Sequence, residues 1–271
     1  EAQARFLRAY YYFILSGFYG GVPLIEHTQK LSEAYAPRNT KEEVVTFILN
    51  ELEEASKSLS TNNLPNTMGI SKAAAWALES RVALYNNQWQ KSIDAAQKVM
   101  ALEGSQVELN PKYGNICLRA GKTSKEILWA IQYNYNDFIH TTPQTFRSRM
   151  ASGFCNRIPL QPLVDSYDCI DGLTIDKSPL YNPKKPFENR DSRLGLTIAV
   201  SGSVYFGYQF ETNKDSLFCW NYNVSPAKRV PNLDATHTFA SFSGYCWRKY
   251  ADPTEQDPVK SDINAIVIRY A

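Results

Sequence analysis

The prolines of this chain are unevenly distributed, and their distribution limits what each part can fold into. Of the 14 prolines in 271 residues, 3 lie in residues 1–103 and 11 in residues 104–271. Proline interrupts both helix interiors and central strands. The sequence therefore predicts two parts: a helical part at residues 1–104 and a loop-rich part at residues 105–271, which contains only short strands and short helices.

The charge balance and the apolar content narrow the classes of function. Hydrophobic residues make up 44% of the chain, which is enough for a large core and too much for a disordered chain. The 29 Lys and Arg residues against 27 Asp and Glu leave a net charge of +2, so we expect no general binding of nucleic acid. The longest apolar runs, such as Tyr10–Leu15, are too short to cross a bilayer.

Two helices are predicted in the first 60 or so residues. Residues 1–15 form a helix that is apolar around most of its girth, so we expect it to be buried on several sides. The Thr40–Glu43 segment is a capping box, in which the hydroxyl and the carboxylate each accept a backbone N–H, and it begins the second helix. The buried stripe expected for this second helix is Val44, Phe47, Ile48, Leu52 and Ala55.

A helical hairpin is predicted next. The third helix begins at Ser71 and the fourth at Trp89, with an expected buried stripe of Trp89, Ile93, Ala96 and Met100. Residues 71–104 have the 34-residue helix–turn–helix plan of a tetratricopeptide unit. One such hairpin cannot cover its own apolar face, so further helices should stack on both sides. We assign Trp76, Trp89 and Trp247 to the core.

The second part contains fewer periodic segments. In Glu126–Tyr133 apolar side chains alternate with other residues, which predicts a short strand. Ser203–Phe210 is a second strand candidate and is rich in aromatic residues. Leu163–Cys169 predicts a short helix, with Pro162 near its first turn and Asp171-Gly172 as its stop.

Cysteine and histidine spacing indicates neither a metal site nor a disulfide framework. The five cysteines are odd in number and widely spaced, so we interpret most of them as buried thiols: Cys117, Cys155, Cys169, Cys219 and Cys246. None of His27, His140 and His237 lies in a ligand motif. Gly121-Lys122-Thr123 lacks the upstream glycine of a phosphate loop.

Two charged clusters have a functional and a structural interpretation. Carboxylates such as Asp165, Asp168, Asp171 and Asp176 can hold calcium, but their spacing is not that of an EF-hand loop, and we favour roles in turns. Arg190, Asp191 and Arg193 are interpreted as a buried salt bridge and backbone-carbonyl clamp that fixes a loop, because Arg suits bidentate pairing; a ligand clamp is the alternative. We expect no metal and no cofactor.

The aromatic residues of the second part carry the main binding signal. Seven of them fall within the 18 residues from Tyr205 to Tyr222, interleaved with Asn, Asp and Lys. Flat rings can stack on the C–H faces of sugars while the polar neighbours bond the hydroxyls. The alternative is that the rings pack beneath loops. The candidate ligand-binding residues are Tyr205, Tyr208, Trp220, Asn221, Tyr222 and Asn223.

Several blocks, in order along the chain, resemble the SusD/RagB family of surface glycan-binding lipoproteins. They are Arg5–Phe13, Tyr19–Leu24, Pro37-Arg38, Ser71–Ala75, Arg81–Tyr85, Leu163–Tyr167 with Asp171-Gly172, Asn189–Leu194, Gly244-Tyr245 with Arg248–Tyr250, and Ile268–Ala271. Ser192 stands where the family usually has Pro. The family's lipid-anchored cysteine and its first and last helices are absent from this sequence, so we expect it to be part of a longer protein.

The resemblance implies a mainly α fold with tetratricopeptide-like hairpins and a ligand face on the loop-rich part. It implies non-catalytic capture of an oligosaccharide or polysaccharide at the outer membrane surface, delivered to a SusC-like TonB-dependent transporter. Membrane attachment would be through a lipid anchor only. The alternatives are a helical-repeat interaction scaffold without sugar binding and, less favoured, a hydrolase.

Overall fold

The structure is a computed structural model that describes residues 1–63, 65, 67 and 69–271. Its helices are α1 (Ala2–Tyr19), α2 (Lys41–Ser58), α3 (Lys72–Tyr85), α4 (Trp89–Met100), α5 (Thr142–Phe146), α6 (Gln161–Asp165), α7 (Ser192–Thr197) and α8 (Leu233–Thr236). Its strands are β1 (Ile127–Ile131), β2 (Ile198–Ala199), β3 (Val204–Tyr205), β4 (Tyr208–Gln209), β5 (Phe218–Asn221), β6 (Lys228–Pro231), β7 (Cys246–Trp247) and β8 (Ala265–Arg269). Helices contain 34% of the residues and strands 13%, which agrees with the predicted mainly α fold.

The chain divides into two units. The first comprises Glu1–Asn110, Thr123–Gln132 and Ala265–Ala271, and the second comprises Pro111–Lys122 and Tyr133–Asn264. The first unit therefore contains α1–α4 with the pair β1 and β8, and the second contains the remaining short elements. Across the described residues, none of the helices offers the long apolar stretch that a bilayer crossing requires.

Local sequence signals begin the second and third helices. The Thr40 Oγ1 atom accepts from the Glu43 backbone N–H at 3.2 Å, and the Glu43 carboxylate accepts from the Thr40 N–H at 2.8 Å. The Ser71 hydroxyl accepts from the Ala74 N–H at 3.3 Å and caps α3. Both predicted starts are confirmed, because each cap satisfies backbone donors that the first turn leaves unpaired.

The first unit has one apolar core. Phe6, Ile48, Leu52 and Leu78 are fully buried in it. The Phe6 and Tyr10 rings meet Trp129 of β1 edge to face, with centroids 4.9 and 4.7 Å apart. Strands β1 and β8 pair antiparallel with two irregularities in register. The predicted strand at Glu126–Tyr133 is confirmed in position.

Two helices are not buried as predicted. Helix α1 buries Phe6, Ala9, Tyr12 and Ser16 and leaves Tyr11 and Phe18 exposed, so the expectation of burial on several sides was wrong. Helix α4 buries its small residues Ser92, Ala95 and Val99, while Trp89, Ile93 and Met100 are exposed.

The buried face of α4 is chosen by its fit to α3. The Ser80 and Ser92 hydroxyls lie 3.1 Å apart, and each also donates to the other residue's carbonyl, which brings the two helices close together. Small side chains permit this approach, whereas an indole would not fit. The assignment of Trp89 to the core was therefore wrong, and Trp89 is 57% exposed. Trp76 and Trp247 are partly buried against core residues.

The second unit contains small sheets and short helices. Strand β2 pairs with β7, and β3, β4, β5 and β6 form a four-stranded sheet in that order. The predicted single strand at Ser203–Phe210 is in fact the hairpin β3–β4. The predicted helix at Leu163–Cys169 lies earlier, as α6, which contains Pro162 in its first turn.

A disulfide joins two distant segments of the second unit. Cys155 and Cys246, which are 91 residues apart in sequence, are bonded. Cys117, Cys169 and Cys219 are buried thiols. The interpretation of most of the cysteines as buried thiols is confirmed by these three. The bonded pair is the exception, since no local spacing motif marks a bond between segments that meet only in the fold.

Candidate functional site

The hairpin β3–β4 begins the aromatic surface. Phe206 and Gly207 both have positive φ, 48° and 74°, as a two-residue hairpin turn requires. A Cβ atom on Gly207 would lie 2.0 Å from the Asn223 Oδ1 atom, so glycine is needed there. The Asn223 side chain donates to the Phe206 carbonyl at 3.1 Å and braces the turn.

The pairing of the strands places four exposed or half-buried side chains in one row across the sheet. Val204 pairs with Gln209, and Trp220 pairs with Arg229. The pairing of Tyr208 with Asn221 sets Gln209 opposite Trp220. Because side chains alternate between the faces of a sheet, we define the exposed row as Val204, Gln209, Trp220 and Arg229.

Trp220 is the central ring of this row. Its side chain is 39% exposed, and the Arg229 guanidinium carbon lies over the indole, 5.6 Å from the ring centroid. The Arg229 Nη2 atom also donates to the Phe218 carbonyl at 3.2 Å, which fixes the guanidinium. Tyr222, two residues further along, is 48% exposed. The sheet thus presents flat apolar rings beside a cation and amides.

Tyr205 does not belong to this surface. It is only 3% exposed, and its hydroxyl donates to the Trp247 carbonyl at 2.8 Å. Burial raises the pKa of the Tyr205 phenol, with the Arg147 and Arg248 charges acting in the opposite direction. Its place among the ligand-binding candidates is therefore corrected: alternation along β3 turns Tyr205 inward and its neighbour Val204 outward.

The remaining candidates lie where β4 meets the end of β5, and two of them, Tyr208 and Asn221, are in the row of Tyr205 on the face opposite Trp220. Tyr208 and Asn221 are half-buried partners on adjacent strands, and Asn223 is exposed. The Asn221 Oδ1 atom accepts from the Asn223 N–H at 2.9 Å. Both asparagines therefore help to hold the turn next to Tyr222, whose own N–H donates to the Gly207 carbonyl at 2.7 Å.

The charged cluster at 190–193 lies outside the four-stranded sheet. Arg190 is buried and donates to the carbonyls of Pro186, Val164 and Tyr167 at 2.9, 2.7 and 2.7 Å. Asp191 caps α7 by accepting from the Arg193 N–H at 2.8 Å. Hydrogen bonding from the Arg193 side chain lowers the pKa of Asp191. Arg190 is therefore the predicted carbonyl clamp between loops, whereas the prediction of a buried salt bridge was wrong, because the Arg193 side chain that pairs with Asp191 is exposed.

Two of the four aspartates considered for calcium, Asp165 and Asp171, accept local hydrogen bonds through their carboxylates. Asp171 accepts from the Ser178 hydroxyl at 2.7 Å and from the Leu173 N–H at 3.1 Å, and Asp165 accepts from Gln161 at 2.7 Å. Within the described ranges, His, Cys, Asp and Glu form no group of three or more that could hold a metal ion.

The sequence did not reveal Arg229 as a neighbour of the aromatic residues, and Phe218, one of the seven aromatic residues from Tyr205 to Tyr222, was not among the ligand-binding candidates. The signal was present in part: β5 and β6 are separated by a segment containing Pro226, which is consistent with a hairpin, and Phe218 and Trp220 alternate with the buried Cys219. What the sequence lacked was the register that sets Arg229 opposite Trp220.

Comparison with known proteins defines the class. The profile of the SusD family matches residues 125–271, and a second profile, described as "Starch-binding associating with outer membrane", matches residues 1–84. The chain therefore belongs to the SusD family, and the SusD/RagB resemblance found in the sequence is confirmed.

Individual relatives agree with this assignment. A SusD-like protein of Formosa agariphila is 26% identical over 145 residues, covering 50% of this chain and 28% of the relative. A SusD-like carbohydrate binding protein from Bacteroides fragilis has a similar fold, with a TM-score of 0.83 at 24% identity, over 99% of this chain and 52% of that one. A laminarin binding SusD-like protein matches with a TM-score of 0.64 at 19% identity, over 99% and 56%. The chain thus spans about half the length of these solved structures.

Proposed function

We propose that the exposed row of the β3–β6 sheet binds an oligosaccharide without cleaving it. The observation that carries the proposal is the placement of Trp220, which is exposed beside Tyr222 and stacked on Arg229. A sugar ring presents an apolar C–H face to an aromatic side chain and hydroxyls to its polar neighbours. Gln209 and Arg229 are the polar groups of the row. The proposed site residues are Trp220, Tyr222 and Asn223, with Arg229 and Gln209 added. The other two predicted candidates, Tyr208 and Asn221, pair in the row of Tyr205 on the opposite face of the sheet and are left out.

The chemistry of these groups favours binding over catalysis. Amide and guanidinium groups form hydrogen bonds with hydroxyl groups. At neutral pH, however, they neither attack a glycosidic carbon nor transfer a proton to its leaving group. The proposal therefore assigns no catalytic residue, and the hydrolase alternative predicts reducing ends that we do not expect to appear on prolonged incubation with polysaccharide.

The family membership supports a wider role for the whole protein. We infer attachment at the outer membrane with the glycan-binding face exposed to the outside, and delivery of the glycan to a SusC-like TonB-dependent transporter. Support comes from the description of the profile that matches residues 1–84 and from the related protein that binds laminarin. In this proposal the helices α1–α4 form the tetratricopeptide-like scaffold, and the second unit carries the ligand face.

The decisive experiment replaces the central ring. We expect Trp220→Ala to weaken the binding of the best glycan from an oligosaccharide panel by about 1 to 3 kcal/mol, as the loss of a stacked ring does at other sites. Isothermal titration calorimetry measures the affinity, and loss of ligand-induced tryptophan quenching reports the same ring. Trp89→Ala is the matched control, because Trp89 is exposed but lies on α4. Unchanged affinity in Trp220→Ala removes the sheet from the proposal.

A protein-interaction scaffold is the second candidate. The exposed stripe of Trp89, Ile93 and Met100 on α4 favours it, because apolar residues grouped on a helix surface mark contact sites. If the folded chain binds no member of the glycan panel, this candidate replaces the first.

A further inference from the structure

A cleft in the second unit lies apart from the exposed row of the sheet. Its volume is about 670 Å³, within the range of small-molecule sites. Polar side chains and one aromatic ring line it: Arg119, Lys122, Tyr135, Thr254, Glu255, Gln256, Asp257, Lys260 and Asp262. None of these residues is a member of the sheet site.

The cations of the cleft are held in fixed positions by Asp262. One carboxylate oxygen accepts from the Arg119 Nε and Nη2 atoms at 3.0 and 2.8 Å, and the other accepts from the Lys122 ammonium at 3.0 Å. Lys122 also donates to the Asp262 carbonyl at 2.8 Å, and the buried Asp252 accepts from the Arg119 N–H at 2.9 Å. Donors held in this way need little reordering when a ligand arrives.

An aromatic ring stands beside the fixed guanidinium. The Arg119 guanidinium carbon is 5.7 Å from the centroid of Tyr135, and the Tyr135 side chain is 47% exposed. A half-exposed ring next to rigid donors repeats the combination found at Trp220 and Arg229. The two combinations have different residues and are formed by different segments of the chain.

The charge of the lining limits the class of ligand. Three cations, Arg119, Lys122 and Lys260, face three carboxylates, Glu255, Asp257 and Asp262. A phosphate or another polyanion would meet the carboxylates, and a metal ion would meet the cations, so neither is favoured. A neutral ligand with many hydroxyls can donate to the carboxylates and accept from the cations at once.

We propose that the cleft is a second carbohydrate-binding site, with Tyr135 as its platform and Arg119 and Asp262 as its hydrogen-bonding groups. This inference rests on the proposed function in one respect, namely that the ligand is a neutral glycan. The residues of the cleft are different from those of the sheet site. Two sites on one chain bind one polysaccharide more tightly than either site alone when both can be reached by the same polymer.

Calorimetric titration of four proteins tests the proposal. They are the unchanged chain, Tyr135→Ala, Trp220→Ala and the double variant, each titrated with maltoheptaose and with laminariheptaose. For the sugar that binds, we expect a stoichiometry of two sites in the unchanged chain and one in each single variant. The residual affinity at the altered site should fall about tenfold or more. Tyr135→Phe keeps the platform and should retain both sites, while Tyr11→Ala, an exposed tyrosine of α1, controls for loss of a surface ring.

The outcomes separate the two proposals. If Tyr135→Ala binds as the unchanged chain does while Trp220→Ala loses all binding, the cleft is rejected and the sheet site stands. If Trp220→Ala binds as before while Tyr135→Ala loses binding, the sheet is rejected and the cleft stands. If the unchanged chain, with a normal thermal transition, binds neither sugar, both assignments to these neutral glycans are rejected.

Discussion

The two units reach stability in different ways. The first buries a continuous set of apolar side chains from α1, α2, α3 and the β1–β8 pair. The second contains separate small clusters, one around Tyr205 and Phe210 and another around Leu194 and Ile198. It supplements them with the Cys155–Cys246 disulfide and with buried arginines such as Arg190. Small cores need such cross-links, and in exchange the loops are available to form binding surfaces.

Removal of the disulfide tests this contrast between the two units and has the largest expected effect on stability. In the chain-entropy account, closing a loop of about 100 residues stabilises a protein by about 4 to 5 kcal/mol. We expect the double variant Cys155→Ser, Cys246→Ser to lose about that much stability in the second unit. Amide hydrogen exchange measured by mass spectrometry should show faster exchange in residues 133–264 and unchanged protection in α2 and α3. Equal loss in both units would contradict the contrast.

The core of the first unit should respond to the loss of a single buried side chain. Leu78 is fully buried on α3, and Leu78→Ala should lower the free energy of unfolding by about 3 kcal/mol through lost burial and a cavity. Leu84→Ala on the same helix is the control, because Leu84 is exposed. Urea denaturation followed by circular dichroism measures both. Similar effects of the two variants would show that α3 is not packed as described.

The arginine clamp offers a smaller test in the second unit. Arg190→Ala removes the donor shared by the Val164, Tyr167 and Pro186 carbonyls and should lower the stability of this unit by about 2 kcal/mol. Arg193→Ala, which breaks an exposed pair with Asp191, should change little. Thermal unfolding of the two variants compares them, and a larger loss from Arg193→Ala would reverse the assigned roles.

The smallest effect expected is a pH dependence from His140. Its Nε2 atom lies 2.8 Å from the Ile263 carbonyl and its Nδ1 atom accepts from the Thr142 N–H at 3.2 Å, a pattern that fits the neutral ring. Burial lowers the pKa of His140 below its ordinary value of 6.5. The unfolded chain therefore takes up the proton first, and stability falls as the pH is lowered through 6.5.

Replacement of the imidazole isolates this effect. In His140→Gln the slope of the unfolding free energy against pH between neutral and mildly acidic conditions should be shallower than in the unchanged chain. Denaturation midpoints measured across that range give both slopes. Identical slopes would mean that His140 protonates equally in the folded and unfolded chains.

Features set by neighbouring residues could be predicted from the sequence. The starts of α2 and α3 follow from Thr40, Glu43 and Ser71, because a cap is formed within one turn. The strand β1 and the abundance of short elements after Gly104 follow from alternation and proline content. The family signatures were also recognisable, since they are short and occur in order.

Features set by distant partners could not be predicted in the same way. The spacing of Trp89, Ile93 and Met100 identified one face of α4 but not whether another element covers it, and α3 packs on Ser92 instead. Likewise, the inward side of β3 depends on the hairpin turn, which places Tyr205 inside. Of the aromatic residues proposed to contact ligand, Trp220 and Tyr222 are exposed in the structure and Tyr205 is not.

The Phe206–Gly207 turn is held in place by a residue outside the exposed row of the sheet. The turn is held by Asn223 and by its own backbone geometry, whereas the exposed row consists of other residues, at positions 204, 209, 220 and 229. In the proposed binding role, substitutions at these four positions would alter ligand preference while the frame stays constant. A combinatorial library randomised there, and selected on immobilised polysaccharides, would yield variants with new specificities from one scaffold.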